Sequence, residues 1–230
     1  MRRKLQRGIA YIEFALSLLV LIPMLLGVVG IGLSMHRQLQ TVQLARDAGH
    51  MFARNVDFTL LGNQQVLSAV AGSLGLTATG GVVGTSGSGT AVVILSEVRY
   101  MDVSACGLAG FKTIGSGGKP TGCTNYNQWV FSERWVIGNS ALWSSNLGTP
   151  AASIVSTVAS NGVPAGAISI TNQATATSDV ASITGFNPWN STTSTGLPSS
   201  QWVYVAEACA TGFRMAPFSL GTNTYARINF

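Results

Sequence analysis

The chain has 230 residues, with 13 Lys and Arg against 8 Asp and Glu, a formal net charge of +5, and only 9% charged residues. Four of the basic residues, Arg2, Arg3, Lys4 and Arg7, stand at the start, and without them nine basic residues face eight acidic ones. The remaining chain is nearly neutral and carries no basic patch, which argues against nucleic acid as a partner. So few charges also set it apart from an ordinary cytosolic enzyme, where about a quarter of residues are charged.

After the basic cluster comes Gly8, and from Ile9 to Met35 the chain is apolar apart from one acidic residue, Glu13. Phe14 to Met35 holds 22 residues without a charge. As a helix this is about 33 Å, enough for a bilayer core of roughly 30 Å. A cleaved secretory signal has an apolar core of only about 7–15 residues and ends in small residues, and this run fits neither condition. The basic flank predicts a cytoplasmic start and an extracytoplasmic remainder. Glu13 is costly for a plain anchor, because an acidic residue deep in a membrane helix costs roughly 2.5–3.5 kcal/mol and usually has a partner. An amino group created by a cut after Gly8 would supply one. It would sit at Ile9, four residues before Glu13, and a staggered neighbour could present its own.

Basic leader, Gly8, then Ile9-Ala-Tyr-Ile-Glu13-Phe14 and a long apolar helix resemble the prepilin processing site of the type IV pilin superfamily. The run Ile12-Glu13-Phe14-Ala-Leu followed by Leu21-Ile-Pro23 resembles most the TadE-like pseudopilins of the tight-adherence (Tad/Flp, type IVc) pilus. The resemblance covers about the first 55 residues. It implies cleavage between Gly8 and Ile9 by a membrane prepilin peptidase, and Glu13 as the fifth residue of the mature chain. It further implies assembly through Glu13 and Ile9, with other pilins or pseudopilins, the inner-membrane assembly platform and membrane lipid as partners. Within the apolar run, Pro23 and Gly27 form a candidate kink, since proline removes a helix hydrogen bond and glycine weakens the helix.

Beyond the membrane run, Leu39, Val42, Ala45, Gly49, Phe52 and Val56 recur at helical steps and predict a packed face. The expected organisation is a leader at 1–8, a long helix at 9–57 (transmembrane to 35, amphipathic from 36) and a head at 58–230. Residues 61–76 predict a second helix with Leu61, Gln65, Val66, Ala69, Val70 and Leu74 near one face. The Gly/Thr/Ser stretch after it reads as a hairpin or linker. It lacks the Gly-Lys-Ser/Thr ending of a phosphate loop.

Three β-branched or alternating runs, Ala91–Met101, Gln128–Ile137 and Gln201–Thr211, predict strands. Their charged residues, Glu97, Arg99, Glu133, Arg134 and Glu207, are expected on a solvated face, each cross-strand pair contributing under about 1 kcal/mol. Between them, residues 150–160 suggest a helix, 166–184 short strands and 187–190 a turn, and a last strand is expected near 225–230. The fold class predicted is α+β, a long N-terminal helix packed on a small antiparallel sheet, pilin-like.

In an exported head a disulfide is permitted. Cys106 and Cys123 flank a Gly/Lys/Pro loop between two strands and are the favoured pair. Closing about 16 residues would contribute roughly 3 kcal/mol. A bridge from either to Cys209 stays open. No C-x-x-C spacing exists, the only histidines are His36 and His50, and both fall on the first helix. No metal site, no cofactor and no catalytic residues are predicted, and the chain reads as a non-enzyme. The alternative is an unprocessed single-pass anchor carrying an adhesive or receptor domain.

Overall fold

The computed structural model describes residues 2–78, 80–82, 87–108, 111–123, 126–150, 202–215, 218–220 and 223–230. Side chains of residues 2–10, 80–82, Leu108, Trp202 and 213–220 are outside that description, as are the predicted helix at 150–160, strands at 166–184 and turn at 187–190.

Helix α1 spans Arg2–Ala53 without a break, about 78 Å at 1.5 Å per residue. A short connection leads to α2 (Leu61–Ala71) and a 3₁₀ turn at Gly72–Leu74. Strands β1 (Gly80–Val82), β2 (Ala91–Tyr100), β3 (Trp129–Gly138), β4 (Trp202–Ala210) and β7 (Thr224–Asn229) form one sheet in the order β1-β3-β2-β4-β7. All its pairings are antiparallel. A helical turn, α3 (Val103–Leu108), sits between β2 and β3, and β5 (Phe213–Met215) pairs with β6 (Phe218–Leu220) as a separate two-stranded sheet. The architecture is α+β, as the sequence predicts. The three long strands lie within a residue or so of their expected bounds, because β-branched runs flanked by Gly and Asn are a strong strand signal.

α1 lies across one face of the sheet. Leu44, Ala45, Ala48 and Phe52 pack on Val93, Leu95, Trp135, Ile137, Ala206, Ala208 and Ala226. β4 runs antiparallel to the helix. At one end Tyr204 meets Phe52 edge-on, ring centroids 5.4 Å apart. At the other, Arg37 Nη1 donates to the Thr211 carbonyl at 2.9 Å. The head thus has a pole near Arg37, next to the apolar half of α1, and a far pole near Phe52 that carries α3 and the β2–β3 connection. Gly49 is fixed by this packing, because a Cβ there would run into the Phe230 ring, which also stacks on His50 at 4.7 Å.

The packed stripe keeps the predicted Ala45, Gly49 and Phe52 and departs from the expectation before them. Leu39 and Val42 are 62% and 42% exposed, whereas Thr41 is fully buried. Thr41 Oγ donates to the Arg37 carbonyl at 2.9 Å and lies 2.8 Å from Thr224 Oγ. A polar residue with its hydroxyl satisfied takes the place that two apolar ones were expected to hold. α2 is rotated in the same sense. Its buried residues are Gln64, Leu67 and Ala71, while Leu61, Val66 and Val70 are exposed. Gln64 turns inward because its amide donates to the Phe58 carbonyl at 2.7 Å.

The stretch read as a hairpin or linker contributes β1, paired along the edge of β3. Its return is closed by a bridge between Leu76 and Gly89. Gly89 has φ 104° and a Cβ there would collide with the Gly75 carbonyl, so only glycine fits.

Candidate functional site

Two groups of residues merit consideration as sites: the N-terminal processing and assembly residues, and the charged residues inside the head.

Gly8, Ile9, Glu13, Pro23 and Gly27 all lie on α1. Ile9 and Glu13 are four residues apart, about one turn and 6 Å along the axis. Glu13 is exposed, and its carbonyl accepts from Ser17 Oγ at 2.9 Å. Around it the large apolar side chains of Tyr11, Ile12, Phe14, Leu16 and Leu19 are exposed too. From Tyr11 to Leu25 no described residue is buried, whereas Gly30 further along is. α1 is long and apolar enough to cross a membrane, which is compatible with a membrane anchor. The helix continues through Pro23, so the proline interrupts the hydrogen-bond ladder locally without ending the element.

Cys106 and Cys123 are joined in a disulfide, with Cα atoms 6.0 Å apart. Asp102 caps α3, its Oδ1 accepting from the Ala105 amide at 2.7 Å, which fixes Cys106 in the first turns. The bridge is buried with Met101, Ala105 and Val130. Cys209 is a buried free thiol; burial raises its pKa.

The mid-strand charges are not on a solvated face. Glu207 is 0%, Arg134 2%, Glu97 6% and Arg99 7% exposed. The reason is that both faces of the sheet are covered. α1 covers one. On the other, Val92, Ile94, Val136 and Cys209 cluster with Leu142, Trp143 and Tyr225, so the chain beyond β3 folds back over the strands. Strand alternation cannot reveal a second covering layer.

On that second face the Glu207 carboxylate accepts from Ser145 Oγ at 2.5 Å and from Tyr225 Oη at 2.7 Å. The Arg134 guanidinium lies 4.5 Å from the centre of the Phe131 ring, a cation–π contact. Among the described residues its Nε and Nη2 have no hydrogen-bond partner. Burial lowers the Arg134 pKa to about 10, opposed by the charge of Glu207. Burial also raises the Tyr225 pKa, with the bond to Glu207 adding to it.

On the helix-covered face the β2–β3 register sets Glu97 opposite Glu133, beside a bulge between Glu97 and Val98. Burial, then the Glu133 charge, pushes the Glu97 carboxyl from 4.5 up to about 8. Glu133 is raised by burial, although the Trp135 indole N–H donates to it and lowers its pKa. The same two carboxylates, after burial, drive Tyr204 up to about 12. This carboxylate pair, set together by register and not by sequence spacing, was not predicted. The Ser132 hydroxyl donates a hydrogen bond to the Glu97 carboxyl, and Arg99 and Tyr204 stand within electrostatic reach of it. No group of three or more metal-ligating side chains occurs among the described residues.

Residues 8–50 match the family model of TadE-like proteins. No curated protein and no solved structure matches the chain. The match falls on the helix that carries Gly8, Glu13 and Pro23 and ends within the part that packs on the sheet. Over its N-terminal helix the chain is similar to TadE-like proteins, and that similarity points to a component of the Tad pilus.

Proposed function

We propose that this chain is a pseudopilin or minor pilin that a prepilin peptidase cuts between Gly8 and Ile9. The basic leader stays in the cytoplasm and the head lies outside the membrane. The mature helix joins other pilins through its apolar half at the inner-membrane assembly platform, with Glu13 meeting the Ile9 amino group of a neighbour. The observation that supports this reading is the carboxylate of Glu13 on the apolar stretch Tyr11–Leu25, whose described residues are not buried. In lipid or in a helix bundle that charge needs a counter-charge from elsewhere, and a processed N-terminus provides it.

α1 is helical through Gly8, so a peptidase must unwind its first turns to reach the bond. Glycine makes this easier by about 1 kcal/mol relative to alanine. The chain has no catalytic role in this scheme. Its processing residues are a substrate for another enzyme, and the sequence places both histidines on α1.

The test is the N-terminal residue and intact mass of the membrane-extracted protein, with and without a co-expressed prepilin peptidase. A chain beginning at Ile9 is expected with the peptidase, and full-length precursor with Gly8→Ala. Glu13→Ala is expected to be cut but to fail in assembly. If Met1 persists whatever peptidase is present, α1 is a plain anchor, and an adhesive or receptor role for the head takes its place.

A further inference from the structure

Beyond the charge-free run that ends at Met35, α1 holds two exposed apolar residues on a polar stretch. From His36 to Gln43 the sequence reads His-Arg-Gln-Leu-Gln-Thr-Val-Gln, so Leu39 and Val42 are its two apolar members. Both are exposed, and the geometry of the helix explains why. Leu39 is two residues from Thr41, and Val42 is two residues from Leu44, each step about 160° round the axis. Thr41 and Leu44 are buried against the sheet, so Leu39 and Val42 stand on the opposite side.

Their spacing is part of a longer row. Steps of three and four lead back from Val42 and Leu39 through Met35, Gly32, Val28 and Leu25 to Leu21, which is three heptads. The large members of that row are all exposed, and at Gly32 a Cβ would meet nothing within 4 Å. Inside the membrane run this row is one of several, since nearly every side of the helix is apolar there. Between His36 and Gln43 it is the row that persists. A helix immersed in lipid at that level would be apolar all round. A stripe made of two positions per heptad has instead the width of a coiled-coil seam.

We infer that this row is a contact with a second copy of the chain: a parallel, in-register, two-stranded seam that starts in the bilayer and continues past it to Val42. The inference rests on α1 crossing the membrane and is independent of a cut after Gly8. Two features name the occupant. Copies with the same basic flank insert in the same direction, so two of them run parallel, and in register Leu39 and Val42 meet their own counterparts. The residues that border these two are Gln38 and Gln43, both uncharged and exposed. In a parallel pair Gln38 of one helix stands by Gln43 of the other. An amide both donates and accepts, so identical chains meet there without like-charge repulsion. A partner selected by charge needs an acidic or basic border, and this border is neither. In the lipid, Gly32 lets the two backbones approach closely. The row stops where two copies would begin to repel: its next position is Arg46, and at Gly49 the helix is already covered by Phe230. Glu13 lies outside the row, so the pairing leaves it open to a further subunit.

The test is disulfide cross-linking of the full chain with Cys209→Ser, reconstituted in phospholipid vesicles at a high lipid-to-protein ratio. Single cysteines are introduced as Leu39→Cys, Val42→Cys and Asp47→Cys, the last exposed and off the row. A disulfide forms where Cα atoms come within about 7 Å. With copper phenanthroline as oxidant, Leu39→Cys and Val42→Cys are expected to give several-fold more covalent dimer than Asp47→Cys. Adding Leu39→Glu to Val42→Cys is expected to cut that dimer several-fold, because it sets two carboxylates opposite each other. A chain that stays monomeric at both row positions overturns the inference and leaves the row to lipid or to another protein. Equal dimer with Asp47→Cys means random collision and overturns it too, as does a Val42→Cys dimer indifferent to Leu39→Glu. Alkaline carbonate extraction of the same vesicles checks the membrane reading separately. A chain that stays with the vesicles but does not cross-link sinks the seam alone. A chain released by carbonate does not span the bilayer, and the membrane reading then falls with the inference.

Discussion

The head and the apolar half of α1 each hold carboxylates among apolar groups, and they treat them differently. In the head, Glu207 is fully buried yet accepts from Ser145 and Tyr225, with Arg134 as the opposing charge. Glu97 carries its burial by holding its proton. On α1, Glu13 is exposed among exposed apolar neighbours. A charge that the fold itself compensates is structural. A charge on a surface left without cover receives no such compensation from the described part of the fold. The same division runs through the helix's apolar residues, which are covered from Leu44 to Phe52 and uncovered from Tyr11 to Leu25.

The largest expected effect comes from breaking compensation inside the head. Glu207→Ala leaves the Arg134 guanidinium buried without an opposing charge, and such a loss costs about 3–5 kcal/mol. Urea unfolding of the detergent-solubilised chain should show it as a lower midpoint. Next, Phe52→Ala removes a ring packed in the core and should cost about 3–5 kcal/mol. Leu21→Ala on the uncovered half should leave the head's unfolding midpoint where it was. Equal losses from both would erase the distinction between the halves.

A third test concerns pH. The Glu97 carboxyl has its pKa raised from 4.5 to about 8 in the folded head. Its folded form binds the proton more tightly than its unfolded form, so its contribution is complete below about pH 4.5. It is lost as pH rises through about 8. The head should therefore weaken between mildly acid and mildly alkaline conditions, by an amount on the order of a few kcal/mol. Glu97→Gln should flatten that slope in thermal melts taken across the range; an unchanged slope would assign it to other groups. The smallest effect is expected from Leu39→Ala. Leu39 points away from the head, so the change in unfolding should stay within about 0.5 kcal/mol.

The strands were legible because their β-branched runs end at turn residues, and the disulfide because both cysteines flank one loop. The faces of the two packed helices were not. Apolar counting passes over Thr41 and Gln64, which are buried because a hydroxyl and an amide find acceptors in the fold. The buried charges were hidden for a different reason. Alternation in β3 and β4 is the same whether the second face meets water or a folded-back segment such as Leu142–Leu147. The pairing of Glu97 with Glu133 comes from a register and a bulge, neither of which has a signature in the local sequence. The long N-terminal helix was legible from its uninterrupted apolar run.

The position of the disulfide in the chain bears on how the head reaches its native state. Cys106 and Cys123 are 17 positions apart, whereas Cys209 lies 86 residues beyond Cys123. A chain delivered from its N-terminus presents the two partners to an oxidant together, before the third thiol arrives. Short-range closure also has the smaller entropic cost. With that bridge closed, Cys209 is left as the free thiol among the described cysteines. Order of synthesis and loop length thus both favour the Cys106–Cys123 bridge over either bridge to Cys209.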